Sequence, residues 1–142
     1  MNDIIKQTTF WFVVAHADQG HQKRTVQLGA HFEEVAEMLG ALVSKDNQAL
    51  ALIREAENAL VQLSEYLKEN SKTTHIYPHS DNLLLDSLCD QAVTLAGVAY
   101  DYGYKFPQAL HEVNRSNFRT FGNGAPAFDE NGEIKKGPAY TP

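Results

Sequence analysis

The chain has 142 residues, 43% hydrophobic and 21% charged, which is ordinary for a soluble globular protein of one domain. Its formal charge of −6 argues against binding to a nucleic-acid polymer, because modules that bind the phosphate backbone are usually basic. One cysteine, Cys89, leaves no disulfide framework, and we expect it to be a small buried side chain in a reducing cytoplasm. Because the longest apolar run is short for a membrane span and the N-terminus lacks a signal-peptide layout, we expect a cytoplasmic protein with no membrane partner.

The first predicted helix is locally apolar on every side, and the second has an apolar stripe. The first, over residues 3 to about 18, has Asp3 as its N-cap, and its apolar segment Phe10–Val14 predicts burial. Trp11 in this segment is a candidate to stack on the base of a ligand, although core packing is the more common role of such a residue. The second helix spans about 22 to 44, and its predicted core stripe is Leu28, Phe32, Val35, Leu39 and Leu42.

Three glutamates occupy the other side of the second helix. Glu33 and Glu34 each lie one turn before Glu37, and like charges at that spacing destabilise a helix unless a cation lies between them. No Lys or Arg occurs between Arg24 and Lys45. A solvated acidic face would also explain such a triplet, but the small apolar residues around it indicate a second layer of protein. We therefore expect a metal ion to supply the missing charge.

The next two predicted helices differ in character. The third spans 48 to about 70 after a cap at Asp46-Asn47, and its apolar side is Leu50, Ile53, Ala56, Leu60, Leu63 and Leu67. A loop over 71–80 follows. The fourth helix runs from about Asp81 to Tyr102 and is apolar around almost its whole circumference, a pattern that predicts burial.

Asp86 and Asp90 interrupt this apolar helix on one face. Because a buried carboxylate normally pairs or neutralises, chelation of a metal is the expected explanation. Carboxylates from two helices form an all-oxygen ligand set, which favours Mg²⁺, with Mn²⁺ as a substitute. A di-iron centre would require Glu-x-x-His pairs, and no glutamate here is followed by a histidine three residues later.

The C-terminal part is predicted to contain a short fifth helix and an extended tail. The helix follows Phe106, with Pro107 at its first position. Asn114 and Asn117 share one face of it, and Arg115 and Arg119 share another. Residues 121–142 form the tail, in which Phe128, Ile134 and Tyr140 favour packing against a surface over disorder.

The motif Glu33-Glu34-x-x-Glu37, the later acidic pair and the segment Glu112–Asn117 together resemble the MazG-like all-α nucleoside triphosphate pyrophosphohydrolases. The tail, through Lys136-Gly137-Pro138, is similar to the phosphoribosyl-ATP pyrophosphohydrolase-like branch. The resemblance covers roughly residues 22–142. It implies a single domain over 1–142 with an all-α, four-helix-bundle-type fold and a short fifth helix. It also implies that a second chain completes the bundle, in a homodimer or a dimer of dimers.

The resemblance also implies roles for individual residues. Glu34, Glu37 and Asp90 would bind Mg²⁺, and Glu33 would bind metal or orient the attacking water. The family usually has Glu where this chain has Ser87, and Asp86 is its natural substitute. The residues that would contact the nucleotide or offset its charge are Asn114, Asn117, Arg115, Arg119 and Lys136. The branch often has Lys where this chain has Thr120.

The activity implied is hydrolysis of a nucleoside triphosphate, with deoxynucleotides favoured, to a nucleoside monophosphate and pyrophosphate. Two alternatives stay open. One is a narrower enzyme that acts on phosphoribosyl-ATP, and the other is a non-enzymatic helical module whose acids serve cation-dependent partner binding. Metal titration followed by measurement of pyrophosphate release separates the enzymes from the module.

Overall fold

The computed structural model describes residues 3–15, 23–77 and 79–119. These residues form five α-helices and no strand, which confirms the all-α class. The helices are α1 (Ile4–Ala15), α2 (Lys23–Gly40), α3 (Asn47–Glu69), α4 (Asp81–Asp101) and α5 (Phe106–Arg119). They divide into two compact units, one with α2 and α3 and the other with α1, α4 and α5.

The helix ends follow local signals in the sequence. Asp46 caps α3 by accepting a hydrogen bond from the Gln48 N–H at 3.0 Å, as predicted. Asp3 likewise accepts from the N–H of Ile5 at 3.0 Å. Predicted boundaries at 18 and 22 lie outside the described residues. The α2 helix ends at Gly40, earlier than the predicted residue 44.

The end of α4 has the geometry expected for a glycine stop. The N–H of Tyr104 donates to the Ala99 carbonyl and that of Gly103 donates to the Tyr100 carbonyl, each at 2.9 Å. This pair of bonds is a Schellman motif. It requires a left-handed residue, and Gly103 has φ +71°. The predicted stop after Tyr102 is therefore confirmed.

The α2–α3 hairpin is held by a close approach of the two backbones. The Ser64 hydroxyl donates to the Gly29 carbonyl at 2.6 Å, and Ser64 is 2% exposed. A Cβ atom at Gly29 would lie 2.9 Å from the Ser64 carbonyl oxygen, so only glycine fits there without a backbone shift. The hydroxyl of Thr25 donates to the Thr74 carbonyl at 2.9 Å and ties the start of α2 to the segment after α3.

Because the two backbones approach closely, the residues buried between α2 and α3 differ from the predicted apolar stripes. The buried residues of the described part of α2 are small or short: Thr25, Val26, Gly29 and Ala36. The predicted stripe of large apolar residues on α2 lies beside that line, half-buried over most of its length, with Leu42 40% exposed. On α3, Ser64 and Leu67 are buried, whereas Ala56 and Leu63 are exposed. The reason is that backbones approach closely only where side chains are small.

In the other unit, α1 lies beside α5. Asn114 Nδ2 donates to the Thr8 hydroxyl at 3.0 Å. The rings of Phe10 and Phe118 stack with centroids 6.2 Å apart and 25° between their planes. The predicted burial of the apolar segment of α1 is wrong in part, because Phe10 is 58% exposed within the single chain.

The helix predicted to be the most buried, α4, is largely exposed in the single chain. Of its residues, Ala99 is buried, and Cys89 is exposed, contrary to prediction. Its large exposed apolar residues are Leu83, Leu85, Leu88, Val93, Leu95 and Val98. Among the helices the structure describes, α4 is long and apolar enough by length and composition to cross a membrane, a test that a soluble core helix also passes. In the sequence, Asp86 and Asp90 divide α4 into short apolar runs, each too short by itself to predict a membrane span.

Candidate functional site

The acidic face of α2 contains an ion pair that the sequence did not reveal. Lys68 of α3 forms a salt bridge with Glu33, and the lysine side chain is 8% exposed. A Cβ atom at Gly29 would lie 3.1 Å from Lys68 Cγ. Because glycine has no Cβ, the aliphatic part of the lysine side chain has room there. The cation that pairs with Glu33 therefore belongs to the neighbouring helix. The expectation that only a metal ion could supply positive charge to the α2 glutamates is wrong for Glu33.

Glu34 and Glu37 lie one turn apart on α2, and both are exposed. Helical spacing places them on the side of α2 away from the stripe of Leu28, Val35 and Leu39. Because α2 is fixed against α3 at Gly29, the positions of both residues along the hairpin are fixed too. Two carboxylates at this spacing can share one cation that also has ligands from outside the helix.

Asp86 and Asp90 lie one turn apart on α4 and are both exposed, so their predicted burial is wrong for the single chain. Exposed apolar residues, Leu83 and Val93, continue the same face in both directions. The α2 and α4 pairs belong to different units. In the part of the chain that the structure describes, no group of three or more His, Cys, Asp or Glu side chains forms a metal-ligand set. The Mg²⁺ centre stays a prediction.

The polar residues of α5 differ in their surroundings. Asn114 is 5% exposed and bonded to Thr8, so it holds α5 against α1. Arg115 is exposed and donates through Nε and Nη2 to Glu112 Oε2, at 2.9 and 2.7 Å. Asn117 is half-buried and Arg119 is exposed.

Two other residues, Trp11 and Lys136, were predicted to contact the nucleotide. Trp11 is half-buried on α1, with Phe12 edge-on to its ring at a centroid distance of 4.9 Å. Lys136 and the tail over 121–142 lie outside the described residues, as does Thr120.

A groove runs along α1 and α5 and contains two adjoining cavities. The larger, of about 950 Å³, lies at the starts of both helices and has Asp3 and Glu112 in its lining. The smaller, of about 610 Å³, is lined by Lys6, Gln7, Phe10, His111, Asn114, Arg115 and Phe118.

The smaller cavity is lined by two residues predicted to contact the nucleotide and by five that were not, one of which is Gln7. Asn114 and Arg115 were predicted, whereas the other four are Lys6, Phe10, His111 and Phe118. The sequence holds a signal for them, since residues 6 and 10, and residues 111, 115 and 118, recur at helical spacing. What it lacks is the pairing of α1 with α5, which lie about a hundred residues apart.

No family model, curated protein or solved structure matches this chain. The resemblance noted from the sequence therefore stays a prediction.

Proposed function

We propose that this protein is a Mg²⁺-dependent nucleoside triphosphate pyrophosphohydrolase that acts on nucleotides, including deoxynucleotides. The observation that carries the proposal is the exposed pair Glu34 and Glu37, held one turn apart on a helix whose position is fixed by its packing on α3. The sequence resemblance supports the same activity.

The donor set fits magnesium. Mg²⁺ prefers oxygen ligands and is commonly bound by one or two carboxylates, with waters and substrate phosphates completing its shell. Glu34 and Glu37 would hold it, and Mn²⁺ is the expected substitute. Asp86 and Asp90 are a second acidic pair, on α4, with the same oxygen ligands to offer. When bound, the ion would neutralise phosphate charge and acidify a coordinated water.

Glu33 has a different role in this proposal from the other two glutamates. Its carboxylate is held by Lys68, so its orientation is restricted. A carboxylate in that position can orient the attacking water and accept its proton. Lys68 acts through Glu33 and is a positioning residue.

The reaction needs cationic groups as well as carboxylates. Arg115 and Arg119 are exposed on α5, and Lys136 belongs to the tail. They would offset the charge of the triphosphate. Water forms a new P–O bond at the α–β linkage, the anhydride bond breaks, pyrophosphate leaves, and the water proton passes to a carboxylate and then to solvent.

The test is a panel of ribonucleoside and deoxynucleoside triphosphates incubated with the purified chain and Mg²⁺. We expect nucleoside monophosphate and pyrophosphate in equal amounts, and loss of both products when a chelator replaces the metal. Release of a nucleoside diphosphate and orthophosphate would contradict cleavage at the α–β linkage. Hydrolysis of phosphoribosyl-ATP alone would favour the narrower enzyme.

The exposed surface of α4 favours an assembly of this chain with a second copy. Exposed apolar patches larger than a few hundred Å² typically mark interaction surfaces. Large apolar residues are exposed around α4 in the single chain, among them Leu83, Leu85 and Val93. A homodimer or a dimer of dimers that covers α4 is part of the proposal. A non-enzymatic module would bind Mg²⁺ and assemble without cleaving any triphosphate.

A further inference from the structure

We propose that the smaller cavity between α1 and α5 binds a nucleoside phosphate, with its base stacked on Phe10 and its phosphate at Lys6 and Arg115. The identification of this ligand as a substrate rests on the proposed function, whereas the binding itself does not. The cavity adds residues of α1, which lie outside the part of the chain that carries the family resemblance.

The stacking surface is the ring of Phe10. Phe10 is 58% exposed, and the ring of Phe118 stacks against its ring with centroids 6.2 Å apart. A second ring behind the first fixes its orientation, so a planar ligand gains contact area with little loss of side-chain freedom. Nucleobases stack on such rings irrespective of their identity, because every base has a π-face.

The charge of the cavity favours an anion. Lys6 and Arg115 line it, and none of the described residues in its lining is a carboxylate. This local excess of cations occurs in a chain with a formal charge of −6. Glu112 pairs with Arg115, but the two side chains are 61% and 49% exposed, and exposed ion pairs contribute little stability. A phosphate can therefore replace Glu112 at small cost and form charge-assisted hydrogen bonds.

The remaining lining residues set the shape and polarity of the cavity. Its volume of about 610 Å³ is in the range typical of small-molecule sites. Gln7 is half-buried and offers an amide donor and acceptor to the edge of a base. Asn114 is bonded to Thr8, so it fixes the wall of the cavity and leaves base contacts to Gln7.

Isothermal titration calorimetry in EDTA tests the cavity without a metal site. The probes are AMP and dCMP, with ribose 5-phosphate and adenosine as the partial ligands. We expect both nucleotides to bind, and each partial ligand to bind roughly 10- to 100-fold more weakly than AMP. Absence of nucleotide binding, or equal affinity for AMP and either partial ligand, would overturn the proposal.

Two variants separate stacking and charge from folding. Phe10→Leu keeps an apolar side chain but removes the ring, and we expect roughly 10-fold or greater loss of AMP affinity. Its matched control is Ile5→Ala, an exposed apolar position on α1 outside both cavity linings. Lys6→Gln should also weaken AMP binding, and its control is Lys45→Gln. Wild-type affinity in Phe10→Leu or Lys6→Gln would contradict the assignment.

The same variants distinguish failure of this inference from failure of the proposed function. AMP binding that depends on Phe10, in a chain that cleaves no triphosphate, supports the cavity and overturns the enzyme. Triphosphate cleavage with an unchanged KM in Phe10→Leu supports the enzyme and overturns the cavity.

Discussion

Lys68 illustrates how one side chain can define the roles of its neighbours. Its stem is buried over Gly29, while its ammonium group reaches Glu33 on the next turn of α2. Burial of the aliphatic stem contributes packing energy in addition to the ion pair. Glu33 is held in this way, and Glu34 and Glu37 are the metal ligands in the proposed function.

Glu37→Gln tests that assignment at the residue scale. Replacing a metal-binding carboxylate by a neutral amide of the same size should lower kcat by about 100-fold or more. Because Glu37 is exposed, the thermal midpoint should stay near that of the wild type. The measurements are steady-state pyrophosphate release and thermal unfolding followed by circular dichroism.

The control for this variant is Glu55→Gln, which makes the same charge change at an exposed position of α3. It should keep full activity. Asp90→Asn should behave as Glu37→Gln does, through the acidic pair of α4. Full turnover in Glu37→Gln with Mg²⁺ present would contradict the metal assignment on α2.

At this scale the sequence predicts caps better than partners. Asp3 and Asp46 act within three residues of their own position, so residue type and spacing were sufficient to identify both. The salt bridge of Glu33 spans 35 positions, and the hydrogen bond of Asn114 spans 106. Both depend on which helices pack together, which no local pattern specifies.

At the scale of helices, two glycines in helix interiors have opposite surroundings. Gly29 lies against α3, where an added Cβ would be 2.9 Å from a carbonyl oxygen of the backbone. Gly97 lies on the exposed α4, where an added Cβ meets nothing within 4 Å. The two positions therefore separate the packing role of glycine from its intrinsic cost in a helix.

Gly29→Ala should destabilise the chain by about 1–3 kcal/mol, because the α2–α3 backbones must move apart. Gly97→Ala, studied at low protein concentration, should stabilise it by roughly 0.5–1 kcal/mol, since alanine loses less backbone entropy in a helix. Urea unfolding followed by far-ultraviolet circular dichroism measures both changes. Equal effects of the two substitutions would contradict the close approach at Gly29.

The sequence predicted the helices, but it predicted only some of the residues through which the helices pack against each other. Apolar periodicity correctly indicated Leu67 as a core position of α3. The same rule favoured Leu63 over Ser64, because it assumes that large apolar residues mark the contact. In this hairpin the contact is made by small residues and a hydroxyl, so the periodic stripe lies beside it.

For the whole molecule, the exposure of α4 leads to a prediction about assembly. A helix with this much apolar surface should be covered by a second copy, so sedimentation should report a dimer or tetramer. Leu85→Glu places a charge on that surface and should shift the distribution toward monomer. Val43→Glu, at a position 90% exposed in the segment after α2, is the control and should leave the distribution unchanged.

Two results would contradict this assembly. One is a wild-type chain that sediments as a monomer across the concentration range. The other is recovery of the wild-type chain with membranes, because the length and composition of α4 would also permit a membrane span. The all-round apolar pattern predicted a buried α4, whereas α4 is largely exposed in the single chain. The pattern alone does not say whether the same chain, another copy or lipid covers a helix.

The pairing of α1 with α5 also has a kinetic consequence. The contact between Gly29 and Ser64 closes a loop of 35 residues, whereas that between Thr8 and Asn114 closes one of 106. The longer loop costs about 1 kcal/mol more in closure entropy. Local contacts generally form faster, so the hairpin should fold before the groove does. During synthesis, the groove cannot form until α5 has left the ribosome, so nucleotide binding there would report that α5 has been synthesised and has packed on α1.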